Sequence, residues 1–149
     1  MKIIDISVPI SRKIPIWPKV PKPRFTLISS IEEGDIANDT QLHMSVHTGT
    51  HVEAPRHFLR KGKTIDQMAI DLFIGPVFVV CLPKVKKISG VDLEKLKIPK
   101  GVTRLLIKTS NSLLWKKEAT KFTKNYVGLT ISGANWISKR KIKLVGIDY

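Results

Sequence analysis

The stretch His47-Thr48-Gly49-Thr50-His51-Val52-Glu53-Ala54-Pro55-Arg56-His57 holds three of the chain's four histidines, interleaved with one carboxylate and one glycine. A helix would stack His47 on His51. However, Thr48, Gly49, Thr50 and Val52 are all poor helix formers, and Pro55 would fall inside the helix. A straight strand would hold His47 and His51 about 13 Å apart, at roughly 3.3 Å per residue, too far to share one ion. If the two cooperate, the chain bends between them, and Gly49 is where a bend costs least. His51 and Glu53 are two positions apart, so on extended chain they face the same side. Pro55 then stiffens a second turn that could return His57 toward the same place.

Two histidines and a carboxylate suit Zn²⁺, Mn²⁺ or Fe²⁺ with positions left open for water and substrate, which suggests hydrolysis by a metal-activated water. His57, if adjacent without ligating, could shuttle protons, since an unperturbed imidazole titrates near pH 6.5. On spacing alone, a metal site and a polar turn rich in histidine both remain open.

Working outward, Leu42, Met44 and Val46 alternate with His43, Ser45 and His47, the period of a strand with one apolar face. Upstream, Ile3–Val8 and Phe25–Ile28 have strand composition. Between them Pro15, Pro18, Pro21 and Pro23 set an extended loop around Trp17. Glu32–Asp35 reads as a turn, as do Asn38 and Asp39. Downstream, Asp66–Phe73 reads as a short helix closed by Gly75-Pro76, and Val77–Leu82 as a buried strand carrying Cys81 in the core. Val91–Leu96 reads as a helix started near Ser89, and Thr103–Thr109 as a strand. Thr130–Lys139 follows as a helix capped by Ser132, and Leu144–Asp148 as a last strand. Strands outnumber helices, and helices fall between the later strands, so a mixed α/β (α+β) domain is expected.

Composition narrows the function classes. The chain has 149 residues, 42% of them hydrophobic, the size of one domain with one core. No run approaches the roughly 20 apolar residues of a membrane span. The N-terminus lacks a signal-peptide pattern, so a cytoplasmic protein is the simplest expectation. One cysteine excludes an intrachain disulfide and a cysteine metal cluster. The net charge of +14 comes from lysines spread along the chain with no aromatic ladder for stacking bases, so a solvated basic surface is favoured over a nucleic-acid face. His43 reads as a surface or supporting histidine, and Trp115 and Trp136 as core or interface aromatics.

The stretch from His47 to Phe58 resembles the signature His-x-Gly-Thr-His-x-Asp-x-Pro-x-His of the cyclase-like metal-dependent hydrolases, which include bacterial kynurenine formamidases and isatin hydrolases. Ile4-Asp5-Ile6-Ser7, Ile16-Trp17-Pro18, Gly75-Pro76-Val77 and Leu144-Val145-Gly146-Ile147-Asp148 resemble other landmarks of that family in order, so the resemblance covers nearly the whole chain. It implies a swivelling β/β/α domain with a mixed sheet. His47, His51 and Glu53 would be metal ligands, His57 the catalytic proton donor and acceptor, and Trp17 a residue of the substrate pocket. It further implies a divalent ion, Zn²⁺ or Mn²⁺, with one per subunit favoured over the two that the family often holds, a small amide substrate such as N-formyl-L-kynurenine, and a homodimer or larger oligomer.

Three departures from the pattern stand out. Glu53 stands where the family has Asp, and Lys19-Val20 where it has Gly-Asp. The family's further histidine and glutamate lie beyond the Gly-Ile-Asp landmark, whereas this sequence reads to Tyr149. The expectation is therefore a single cyclase-like domain, residues 1–149, without the family's C-terminal segment. Three forms of it stay open: an active mononuclear enzyme, an impaired relative serving as an oligomeric binding or scaffold protein, or a site completed by a partner subunit.

Overall fold

A computed structural model describes residues 5–117 and 119–149 and shows a mixed α/β chain with one antiparallel and one parallel sheet. The chain forms two compact units, Met1–Glu53 with Ala119–Phe122, and Ala54–Glu118 with Thr123–Tyr149.

The first unit carries strands β1 (Arg24–Ser29) and β2 (Asp39–His43), paired antiparallel with Phe25 opposite Leu42 and Leu27 opposite Thr40. Their connection is a 3₁₀ turn, Ile31–Glu33, closed by Gly34 at φ 97°. The Asp35 carboxylate accepts from Ser30 N, and the Asn38 side chain accepts from Ile31 N, the local bonds these residue types supply at turns. Asp39, expected in the turn, opens β2 instead. The alternation over Leu42–His47 predicts a longer strand than is seen. β2 stops at His43, and Leu42 and Val46 are exposed, so the pattern there marks no buried face. Of the strand expected at Ile3–Val8, Ile3 and Ile4 lie outside the described residues. Asp5–Val8 is irregular, tied to the loop at 50 by Val8 N donating to Thr50 Oγ1.

The second unit is built on three parallel strands in the order β3 (Phe78–Leu82), β4 (Arg104–Thr109), β5 (Leu144–Ile147). The register sets Val80 beside Ile107, both buried, and Cys81 beside Lys108, both exposed. Cys81 is thus on the surface, contrary to the expectation of a core cysteine. The continuous apolar run Val77–Leu82 suggested burial on both faces, but Val79 is 60% exposed and only the alternate residues reach the core. That core joins Val80, Leu105 and Ile107 of the sheet to Ile88, Leu93, Ile98, Val127 and Ile137.

Leu93 belongs to α1 (Gly90–Lys95), started by a reciprocal capping box between Ser89 and Asp92. Ile137 belongs to α3 (Ile131–Lys139), whose cap is Thr130, with its hydroxyl accepting from Gly133 N, rather than the expected Ser132. The helix expected over Asp66–Phe73 is two separate 3₁₀ turns, Ile65–Gln67 and Ile70–Leu72. A helix the sequence reading missed, α2 (Ser112–Lys116), follows β4 and is latched by Asp148 at the end of β5. That carboxylate accepts from Thr109 N and Oγ1 and from Ser112 N and Oγ, and Trp115 Nε1 donates to its carbonyl.

Candidate metal centre

The loop after β2 turns at 46–47 and bends through 48–50, with Gly49 in the left-handed region at φ 70°. Val8, Ile10 and Ile14 pack behind Gly49, and the Val8 N to Thr50 Oγ1 bond fixes the far side of the bend. From Ser45 the hydroxyl accepts from His47 N, which orients the near side. Beyond the bend, residues 51–54 run irregular and unhelical, so the two-residue step from His51 to Glu53 keeps both side chains on one side.

Three atoms meet as a result. His47 Nδ1 lies 3.0 Å from Glu53 Oε1 and 3.3 Å from His51 Nε2, and His51 Nε2 lies 3.5 Å from Glu53 Oε1. These separations can be set against what an ion demands. Nitrogen and oxygen ligands at about 2.0–2.2 Å from a transition ion stand about 3.0 Å apart at right angles and about 3.4 Å apart at the tetrahedral angle. The triangle matches that range on all three sides, so the donor set fits a single divalent ion without rearrangement. The side chains are 33%, 30% and 42% exposed for His47, His51 and Glu53, so the outer side of such an ion would face solvent, as an exchangeable position requires. Among the described residues this is the group of histidine, cysteine and carboxylate side chains that converges in this way.

His51 Nδ1 lies 2.8 Å from the Gly49 carbonyl, which leaves Nε2 turned toward the other two donors. The Glu53 carboxylate has one methylene more than the aspartate of the family signature. The bend accommodates it, since Oε1 reaches both imidazoles.

His57 belongs to the second unit. It ends the 3₁₀ turn Pro55–His57, which proline opens from an extended Ala54. The turn is closed by Leu59 N donating to Pro55 O and Arg56 N to Lys63 O, and a Cβ on Gly62 would fall 2.5 Å from the Pro55 carbonyl carbon, so only glycine passes there. The His57 ring packs edge-on against Phe58 at 4.2 Å. Trp17, in the first unit, is 55% exposed and meets Phe122 edge-on at 4.7 Å. His43 is exposed at the end of β2.

A family model described as "Putative cyclase" matches residues 4–149. The chain belongs to the cyclase family. Among curated relatives of this family, cyclase-like protein 3 of Arabidopsis thaliana is 37% identical over 99% of this chain and 57% of its own length. The kynurenine formamidase of Bacillus anthracis is 34% identical over 99% of this chain and 68% of its own length. A solved structure described as a potential metal-dependent hydrolase with cyclase activity superimposes with a TM-score of 0.81 at 28% identity, covering 99% of this chain and 67% of the other. The cyclase-family chain described here thus spans somewhat more than half the length of the plant relatives it matches.

Proposed function

We propose that this cyclase-family chain carries the metal-holding part of a hydrolase that breaks an amide or formamide C–N bond, with N-formyl-L-kynurenine as the best candidate substrate. The observation that carries the proposal is the triangle of His47 Nδ1, His51 Nε2 and Glu53 Oε1, with sides of 3.0–3.5 Å. A divalent ion held there, Zn²⁺ or Mn²⁺ at one per chain, supplies the lowered pKa of water and the polarised carbonyl that such a hydrolysis needs. The chain's own residues supply the rest. His47, His51 and Glu53 fix position from one side and leave the other to water and substrate. His57, on its proline-opened turn, is assigned proton transfer to the leaving nitrogen by resemblance, and Trp17 an aromatic wall for the substrate by the same route.

The test is hydrolysis of N-formyl-L-kynurenine by metal-loaded protein. His51→Ala and Glu53→Gln are expected to abolish metal retention and turnover together. His57→Ala is expected to retain metal and lose roughly 10²–10⁴-fold in kcat, the range of a lost general acid–base. Turnover unchanged in His51→Ala would sink the proposal.

A second reading, a binding or scaffold protein that keeps metal without turnover, draws on the openness of the triad, since exposed ligands leave a substrate little enclosure. It predicts metal retention with no hydrolysis of aryl formamides. Assembly as a homodimer or larger oligomer belongs to both readings. It is supported by the open side of β3, where Val79 stays 60% exposed and Cys81 is exposed beside it, although parallel sheets are ordinarily covered on both faces. Sedimentation at monomer mass over a wide concentration range would refute it. A cytoplasmic location is part of the same proposal.

A further inference from the structure

We propose that Gly49 is a positioning residue that presets the tautomer of His51, holding the ring with its proton on Nδ1 and its Nε2 lone pair bare before any metal arrives; this rests on the metal-site reading above. The argument starts from an asymmetry. The neutral imidazole of an unrestrained histidine favours the proton on Nε2. In His51 that would place a hydrogen where the ion must sit, and each binding event would first require the proton to move. Here the Gly49 carbonyl stands 2.8 Å from His51 Nδ1. A carbonyl only accepts, so the nitrogen facing it carries the hydrogen, and the ring's other nitrogen becomes the acceptor turned toward His47 Nδ1 and Glu53 Oε1.

His47 turns its other ring nitrogen, Nδ1, inward. That nitrogen lies 3.0 Å from the Glu53 carboxylate, itself an acceptor, so the hydrogen between them belongs to His47 Nδ1. One histidine is therefore set for coordination and the other must give up a hydrogen on the coordinating side.

The carbonyl reaches His51 only because residue 49 is left-handed. At φ 70° an L side chain is strained, and a β-branched one most of all. Space is not the constraint. A Cβ at 49 would meet Ile10, Ile14 and Val8 at 3.4–3.6 Å, ordinary van der Waals distances. Glycine is thus required by the direction of its peptide, and the group that direction serves is the His51 ring.

The experiment is a long-range ¹H–¹⁵N correlation spectrum of ¹⁵N-histidine-labelled protein at a pH where the rings are neutral, before and after Zn²⁺, on wild type and Gly49→Val. Without metal, wild-type His51 is expected as the Nδ1–H form and to stay so when Zn²⁺ binds, whereas His47 changes from Nδ1–H to Nε2–H. In Gly49→Val the His51 preference should be lost and Zn²⁺ affinity should fall about 10–100-fold, the usual cost of removing a group that orients a ligand. A wild-type His51 found as Nε2–H, or as the mixture of a free histidine, would overturn the proposal, as would unchanged Zn²⁺ affinity in Gly49→Val. The metal-free spectrum decides the tautomer even if Gly49→Val does not fold. Failure of Zn²⁺ to perturb a correctly preset His51 would overturn the metal-site reading and leave the role of Gly49 standing.

Discussion

At the scale of single residues, the molecule separates two uses of a carboxylate. Glu53 reaches two imidazoles at a solvent-facing bend, and Asp148 is consumed by structure. Burial of Asp148 works against its charged form. Hydrogen bonds from the Ser112 hydroxyl, Thr109 N, the Thr109 hydroxyl and Ser112 N outweigh that burial and hold the carboxyl below its ordinary value. A folded-state pKa below the unfolded one means the stabilisation is complete above about pH 3.9 and is lost as pH falls from there through the folded value. Asp148→Asn puts an amide donor against groups that already donate. It is expected to cost about 1–3 kcal/mol at neutral pH and to flatten the acid limb of the stability curve, measured by urea denaturation as a function of pH.

A bend at Gly49 that would let His47, His51 and Glu53 converge was legible from residues alone as one of two open readings, and only the family resemblance named the three as ligands. The tautomer set on His51 was not legible, since it depends on where one carbonyl points. Nor was the latch at Asp148, whose partners lie 36 and 39 positions away along the chain.

At the scale of elements, the strands of the second sheet and α1 stood out in the sequence because apolar runs and a helix start near Ser89 carry their own signals. The segment 66–73 did not. The short helix expected there gave way when Met68 and Ala69 took extended backbone and split the segment into two turns. α2 was missed because its five residues are too few to show a period. The exposure of Cys81 was missed for a different reason, since a continuous apolar strand does not reveal that one of its faces is left open.

α3 offers a test in which two element-level effects oppose each other. Replacing Gly133 by alanine should favour an isolated helix by about 1 kcal/mol. In this fold, however, the new Cβ would sit 2.5 Å from the Ile88 carbonyl oxygen and 3.1 Å from Leu129 Cδ2. Backbone cannot retreat as a side chain can, so Gly133→Ala is expected to destabilise, by about 1–3 kcal/mol. Thr130→Ala, which removes the cap and the hydroxyl's bond to the Ile88 carbonyl, should cost about 1–2 kcal/mol. Chemical denaturation of both variants compares the two, and a stabilised Gly133→Ala would show that α3 does not lie this close to Ile88.

At the scale of the whole molecule, the chain joins a fold shared with solved relatives at a TM-score of 0.81 to a donor triangle of the right dimensions for one ion. Family membership follows from a match over nearly the whole chain, and mixed α/β architecture was already readable from the alternation of strands and helices. Among the described residues no helix is long and apolar enough to cross a membrane.

If the folded chain alone holds the ion, Zn²⁺ at about 100 times its Kd should add about 2.7 kcal/mol to stability by mass action. Chelator should reverse the resulting rise in Tm, and His51→Ala should not show it.

The most direct measurement of the central claim is metal content by elemental analysis, on protein of verified intact mass, after loading with Zn²⁺ or Mn²⁺ and removing unbound ion. Wild type should retain one ion per chain, and folded His51→Ala and Glu53→Gln should retain none. Folded wild-type protein without bound metal, or the same content in all three, would contradict the account.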